Sequence, residues 1–372
     1  MMGIKQVQEA GDNSQQIQAH SVTIIYQGID EKRAREISQE TAIQVMRDKL
    51  SEEARQTASE RVLAMESCLL GRMSKISSAL EAFADPSFLF LLADAQRTAA
   101  ASDRPADYEL LTELLVHRFQ KGGHRETKAG INRAVKIVDE ISDEALLGLT
   151  IIYLVQRCVS IIEGSIEKGL SQLNDLFGAL LYGDLPDDDS WIEHLDILGA
   201  VRITHFGRLH EIEEFYPYHL HGYTDVGIRI DSEEYREALN LMRENSLPLG
   251  LLVVHELNEG YVRLNMMRKD CINIPSRGVG INVEGTSATT VSPLTDAQRG
   301  ALLSIYDLYE KNDEQHQNNI MRFMEKWNSF PNLSLLRQWW NNIRVGFSIT
   351  AVGKVLAHAN SVRYNLDIPP LD

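Results

Sequence analysis

The chain has 372 residues, 44% of them hydrophobic, with 53 Asp and Glu against 37 Lys and Arg and a formal charge of −16. That length buries full hydrophobic cores without disulfide staples. An acid excess of this size excludes a general nucleic-acid binder, whose phosphate contacts need concentrated Lys and Arg.

Cys68, Cys158 and Cys271 are far apart, odd in number and outside any Cys-x-x-Cys spacing. They read as buried thiols in a reducing compartment, and the cytoplasm is the expected location. The longest apolar run, Ala145 to Val155, is too short for a membrane span and reads as a buried core helix. The opening sixteen residues lack the basic-then-apolar layout of a secretory signal.

In chain order, residues 1–12 read as disordered, and Gln16 to Gln27 as a pair of short strands. Val22, Ile24 and Tyr26 alternate with Thr23, Ile25 and Gln27. A short strand pair is barely stable in water by itself. Residues 1–28 are therefore expected to be a β-type association segment, with Ile17, Val22, Ile24 and Tyr26 as its contact residues and a homo-oligomer as the outcome. From Asp30 to Ile76 no proline interrupts the chain, and Ala54, Ala58, Val62, Met65, Leu69, Met73 and Ile76 follow steps of three and four. Ser51-Glu52-Glu53 offers an internal N-cap, so one rod and a two-helix hairpin are both open. Helical signals continue to Gly183, with breaks at Asp85-Pro86, Ser102 to Pro105 and Gly122-Gly123. Residues 29–185 are thus expected to form a helical domain.

The Asp187-Asp188-Asp189 run reads as a solvated linker. Beyond it, residues 190–372 mix strand and helix signals. Strands are expected at Val226 to Ile230, Leu251 to His255, Tyr261 to Met266 and Ile272 to Val283, and helices at Ser232 to Asn245, Thr295 to Lys311 and Gln315 to Trp327. The last unit, helix Asn332 to Asn341, strand Ile343 to Ser348 and a helix capped by Thr350, resembles the tail of winged-helix modules. Gly353 there permits close backbone approach. The expected fold is mainly α with a smaller α+β C-terminal part: a helical N-terminal bundle and a winged-helix-like C-terminal unit. No GxGxxG, Walker or G-x-S-x-G pattern appears.

Two groups of residues are candidates for a site. His219-Leu220-His221, read as a strand, places two imidazoles on one side; with Asp225 and His205 it is the candidate set for zinc or manganese. A His-x-His pair without HExxH is a weak signature, so structural histidines and no cofactor are the expectation. Arg337, Trp340, Arg344, Lys354 and Arg363 form the best basic and aromatic mixture, a candidate partner or nucleic-acid surface.

Gly11 to Ala19 with Val22-Thr23-Ile24, Ser142 to Leu149, Glu193 to Ala200 and Thr350-x-x-Gly-x-x-x-Ala-His-Ala-Asn360 together resemble an uncharacterised family of mostly helical bacterial proteins. Similar Asn/Gln-rich openings occur in proteins of phage-defence loci, which implies an association element and a defence setting, with no catalytic residues to carry over. The function expected is a self-associating cytoplasmic sensor or adapter that recognises a protein partner, without enzymatic activity. The alternatives are a metal-dependent hydrolase or nuclease using the histidines, and a winged-helix DNA-binding regulator.

Overall fold

The computed structural model describes residues 29–45, 51–121, 125–157, 165–181, 183–204, 207–273, 278–282, 289–364, 368 and 370–371. Ile17, Val22, Ile24, Tyr26, Cys158 and His205 lie outside the described residues. The expected class holds: the chain is mainly helical, with small antiparallel sheets toward its C-terminal part.

The long helical stretch is a hairpin. Helix α1 covers Glu31–Val45 and α2 covers Glu52–Met73, with the Ser51 side chain accepting from the Ala54 N–H as the α2 N-cap. The predicted stripe packs inward at Ala58, Val62, Met65, Leu69 and Met73, while Ala54 at its start is exposed. Helix α3 (Pro86–Ala101) starts at an Asp85 cap, and α4 (Pro105–Gln120) uses its proline in the first turn, where the missing N–H has no helical partner anyway. Helices α5 (Arg125–Val135), α6 (Asp143–Arg157) and α7 (Ile166–Leu180) follow. All of Ala145 to Val155 is buried in α6, as expected of a core helix. Cys68 is exposed on α2, contrary to the expectation of buried thiols, whereas Cys271 is buried.

After α8 (Ser190–Ile197) comes β1 (Val201–Thr204), an element that four residues of mixed polarity did not announce. Helices α9 (Ile212–His219) and α10 (His221–Thr224) lead into β2 (Ile228–Arg229), α11 (Glu233–Glu244), β3 (Leu252–Val254) and β4 (Tyr261–Leu264). Strand order is β2-β4-β3, all antiparallel. A separate hairpin joins β5 (Gly278–Asn282) to β6 (Thr289–Pro293). Helix α12 (Asp296–Asp307) opens with a capping box between Thr295 and Gln298, and α13 (Asp313–Asn328), α14 (Pro331–Asn342), β7 (Gly346–Ile349) and α15 (Ala351–Arg363) complete the order. No helix among the described residues is long and apolar enough to cross a membrane.

Two hydrophobic cores organise these elements. The larger runs from Ala34 through Tyr223, takes in Leu257, Met267 and Cys271, and resumes from Phe323 to Leu371. The smaller is built between Ile228 and Tyr309, from β2, β4, α11 and α12. The Asp run at 187–189 therefore does not divide the packing: Trp191 and Trp339, on either side of the smaller core in sequence, share the larger one at 5.9 Å between rings.

The C-terminal unit has the predicted order of helix, strand and Thr-capped helix, with Thr350 accepting from the Gly353 N–H. It is not free-standing. Strand β7 pairs with β1 in the register Val201↔Ile349 to Thr204↔Gly346, and α15 packs against α4, α5 and α6. Gly353 makes this possible: a Cβ there would lie 2.1 Å from the Ala200 carbonyl oxygen and 2.8 Å from the Ile349 side chain.

Candidate functional site

The predicted histidine site falls at the seam between the two cores. Tyr216-Pro217-Tyr218 is helical, with Tyr216 and Pro217 buried. His219 closes α9 and His221 opens α10 across a turn at Leu220, so the expected strand geometry does not occur. The His219 ring lies against Phe215 at 4.4 Å and Tyr218 at 5.2 Å; burial and then Arg268 lower its affinity for a proton. His221 accepts from the Lys269 N–H at Nε2 (3.0 Å), which leaves Nδ1 to donate to the Tyr218 carbonyl, also 3.0 Å away. Asp225 sits with Oδ1 3.7 Å from His316 Nδ1, and burial raises its carboxyl above the usual range against the opposing pull of His221 and His316. Among the described residues no three His, Cys, Asp or Glu side chains are grouped to hold a metal ion.

A histidine that sequence reasoning passed over matters more to the seam. His255 makes a 2.7 Å bond to the Asp225 carbonyl through Nε2 and accepts from the Leu257 N–H at Nδ1 (3.1 Å). Those two bonds require the neutral Nε2–H tautomer, and burial pulls its pKa down to about 4 in agreement. Both nitrogens of His221 and of His255 are thus committed to backbone groups. Asn319 and His316 bind the Thr224 carbonyl, and the Glu310 N–H binds that of Gly227. Gly227 has φ +85°, and a Cβ on it would come within 2.4 Å of the Val262 carbonyl oxygen.

Beneath this loop Arg263 is 1% exposed. Its guanidinium lies 4.2 Å above the Tyr223 ring, donates to Glu256 Oε2 at 2.8 Å and donates to the Leu264 carbonyl at 3.1 Å. Glu256 Oε1 accepts from the Ile166 N–H at the start of α7. Through its two carboxylate oxygens Glu256 therefore ties Arg263 of the small sheet to the first turn of α7 in the helical core.

The predicted basic and aromatic residues do not share a face. Arg337 is paired to Glu213, whose carboxyl burial would raise but which the Arg337 and Asn341 hydrogen bonds hold below the usual range. Trp340 is buried and donates to the His210 carbonyl at 2.7 Å, and Arg363 donates to the Ala106 carbonyl at 2.8 Å with its guanidinium over Tyr364. Arg344 and Lys354 are exposed in different places. Lys354 lines a cavity of about 420 Å³ with Arg157 and Glu126, and Arg344 lines one of about 380 Å³ with Arg208 and Glu211.

Two surfaces emerge that residue patterns did not reveal. The first is the outer edge of β3. The Asn265 N–H binds the Leu251 carbonyl at 2.7 Å, and the His255 N–H binds that of Tyr261 at 2.9 Å. Alternate residues of a strand direct their backbone groups to opposite sides, so Val254 presents its N–H and C=O to the side of the sheet on which, among the described residues, no strand pairs. Val254 is 68% exposed, and nearby Leu249 is exposed as well. The sequence signal was the uncharged Leu252-Val253-Val254 triplet, which fits an edge and a buried strand equally well. The second is a cleft of about 570 Å³ along α14, lined by Asp184, Asp187 to Asp189, Trp191, Trp339 and Leu335 among others.

No curated protein and no solved structure matches the chain. A family model does match, over residues 28–369, and so takes in both cores, the seam and the C-terminal unit. The chain belongs to this uncharacterised family, whose description reads only ":-like".

Proposed function

We propose that the protein is a self-associating adapter that recognises a protein partner rather than an enzyme. The observation that carries the reading is the open β3 edge. Sheet edges with exposed apolar residues and unpaired backbone groups are templates for pairing with another chain, and nothing of charge or proline within Leu252–Val254 blunts this one. A two-fold copy satisfies it economically: Val254 set opposite Val254 of a second molecule exchanges both N–H···O=C bonds of an antiparallel pair. The fit of the histidines and arginines to internal partners supports the non-catalytic side of the reading. A setting in antiviral defence is proposed from the resemblance of the opening residues, and the genes found beside this one test it.

Mass in solution by light scattering tests the assembly. The full chain is expected at twice its 42.0 kDa, and Val254→Lys, a charge on the pairing edge, at the single mass. Deletion of residues 1–28 separates this edge from the Ile17 to Tyr26 segment. A dimer that survives the deletion and is lost in Val254→Lys belongs to β3, whereas a full chain with the single mass overturns the reading.

A further inference from the structure

We propose that the cleft along α14 is a docking groove for a Lys- and Arg-bearing segment of a protein partner. The inference rests on the adapter reading and names the chemistry of what the adapter takes. The groove is apolar at its base and acidic at its rim. Trp191, Trp339 and Leu335 contribute the apolar part, with Leu335 48% exposed at the lip of α14. Asp184, Asp187 and Asp189 stand along the opposite side with Asp188, and no Lys, Arg or His is among the lining residues. Asp188 is held ionised by hydrogen bonds from the Ser190 hydroxyl and N–H, which lower its pKa.

The groove is also built before any partner arrives. Trp339 Nε1 donates to the Pro186 carbonyl at 3.0 Å and fixes the acidic loop to α14. Trp191 is wedged against Gly148, where a Cβ would lie 2.9 Å from its ring, and packs edge-on to Phe347 at 5.9 Å. An apolar base with an acidic rim and no internal cation matches one class of side chain: an aliphatic stem ending in a positive charge. Lys and Arg bury their stems on apolar surface and keep the head at the polar edge, as this geometry requires. The volume falls within the range of binding clefts, about 300–1,000 Å³. Preformed walls reduce the ordering cost of binding.

The test uses the full chain and a fluorescein-labelled peptide of sequence GKLRKLKG, followed by anisotropy at low and physiological salt. The control peptide replaces each Lys and Arg by Gln. The expected result is saturable binding of the basic peptide only. It weakens at least tenfold in Asp184→Asn/Asp187→Asn/Asp189→Asn and several-fold in Leu335→Ser, and it persists in Glu40→Gln/Glu52→Gln/Glu60→Gln, which removes equal charge from a distant exposed face. Absence of saturable binding to the native chain overturns the proposal. Equal weakening by the two triple variants overturns it too, because attraction to net charge alone would then explain the binding, as does indifference to Leu335→Ser. Circular dichroism confirms that each variant folds. Light-scattering mass is a separate readout: a groove that binds nothing while Val254→Lys still dissociates the dimer sinks this proposal alone.

Discussion

Acid should unfold this protein in part through His255, and the size of the effect follows from its surroundings. The unfolded chain protonates this imidazole near 6.5, while the folded site resists until about 4. Stability is therefore complete at neutral pH and declines as pH falls through the unfolded value toward the folded one. Each unit of difference is worth about 1.4 kcal/mol, so the penalty reaches about 2 kcal/mol by about pH 5 and about 3 kcal/mol near pH 4. Carboxyls whose burial raises their pKa, such as Glu66, Asp107 and Asp225, act in the opposite direction, because the folded state accepts their protons first. A difference measurement cancels them. His255→Gln keeps an amide donor and acceptor in the same place but cannot ionise. Its deficit against the native chain, measured by urea unfolding with tryptophan fluorescence, is expected to be about 1–2 kcal/mol at about pH 8. That deficit should shrink by about 2 kcal/mol by about pH 5, to nothing or to a small advantage. A gap constant to within about 0.5 kcal/mol over that range would refute the account of a neutral imidazole pinned between Asp225 and Leu257.

Four substitutions test the packing. Gly353→Ala should lose about 2–3 kcal/mol despite the better helix propensity of alanine, because the new methyl meets the Ala200 carbonyl; the urea midpoint reports it. Thr350→Val removes the α15 cap and the hydroxyl bond to the Gly199 carbonyl, and should lower stability by about 1–2 kcal/mol in the same assay. Arg263→Ala should cost about 3 kcal/mol or more through the lost Tyr223 and Glu256 contacts, against less for Glu256→Gln, whose side chain is partly solvated. Equal losses from those last two would contradict the buried placement of the guanidinium.

Much of the architecture was legible from residue patterns because those patterns are local. Ser51 marked the α2 cap, Pro86 and Pro105 marked breaks between helices, and Thr350 with Gly353 announced both a cap and a close approach. The apolar run from Ala145 to Val155 could only be a buried helix. Longer-range facts left no such trace. Four residues of β1 become a strand only because β7, more than a hundred residues later, supplies their partners. The aspartates at 187–189 look like a linker until Trp339 reaches across to Pro186. His219 and His221 suggested a pair through their spacing, but spacing carries meaning only once the backbone path is known, and here a turn at Leu220 separates two helices. Arg337, Trp340 and Arg363 advertised a basic surface, although Glu213, the His210 carbonyl and the Ala106 carbonyl engage them inside the fold.

The position of α15 has a consequence for how the molecule comes into being. Helices α4, α5 and α6 cover their apolar faces with a segment synthesised roughly two hundred residues after them, and the smaller core is made in the interval. Until Ala351–Arg363 leaves the ribosome, the faces of α4, α5 and α6 that it covers lack their final cover, a state in which nascent chains aggregate or recruit chaperones. Folding that waits on so distant a contact is slow compared with that of a bundle of sequential hairpins. Ribosome-stalled chains ending before residue 351 should therefore remain sensitive to protease across the whole helical half, with protection arriving in a single step as α15 emerges.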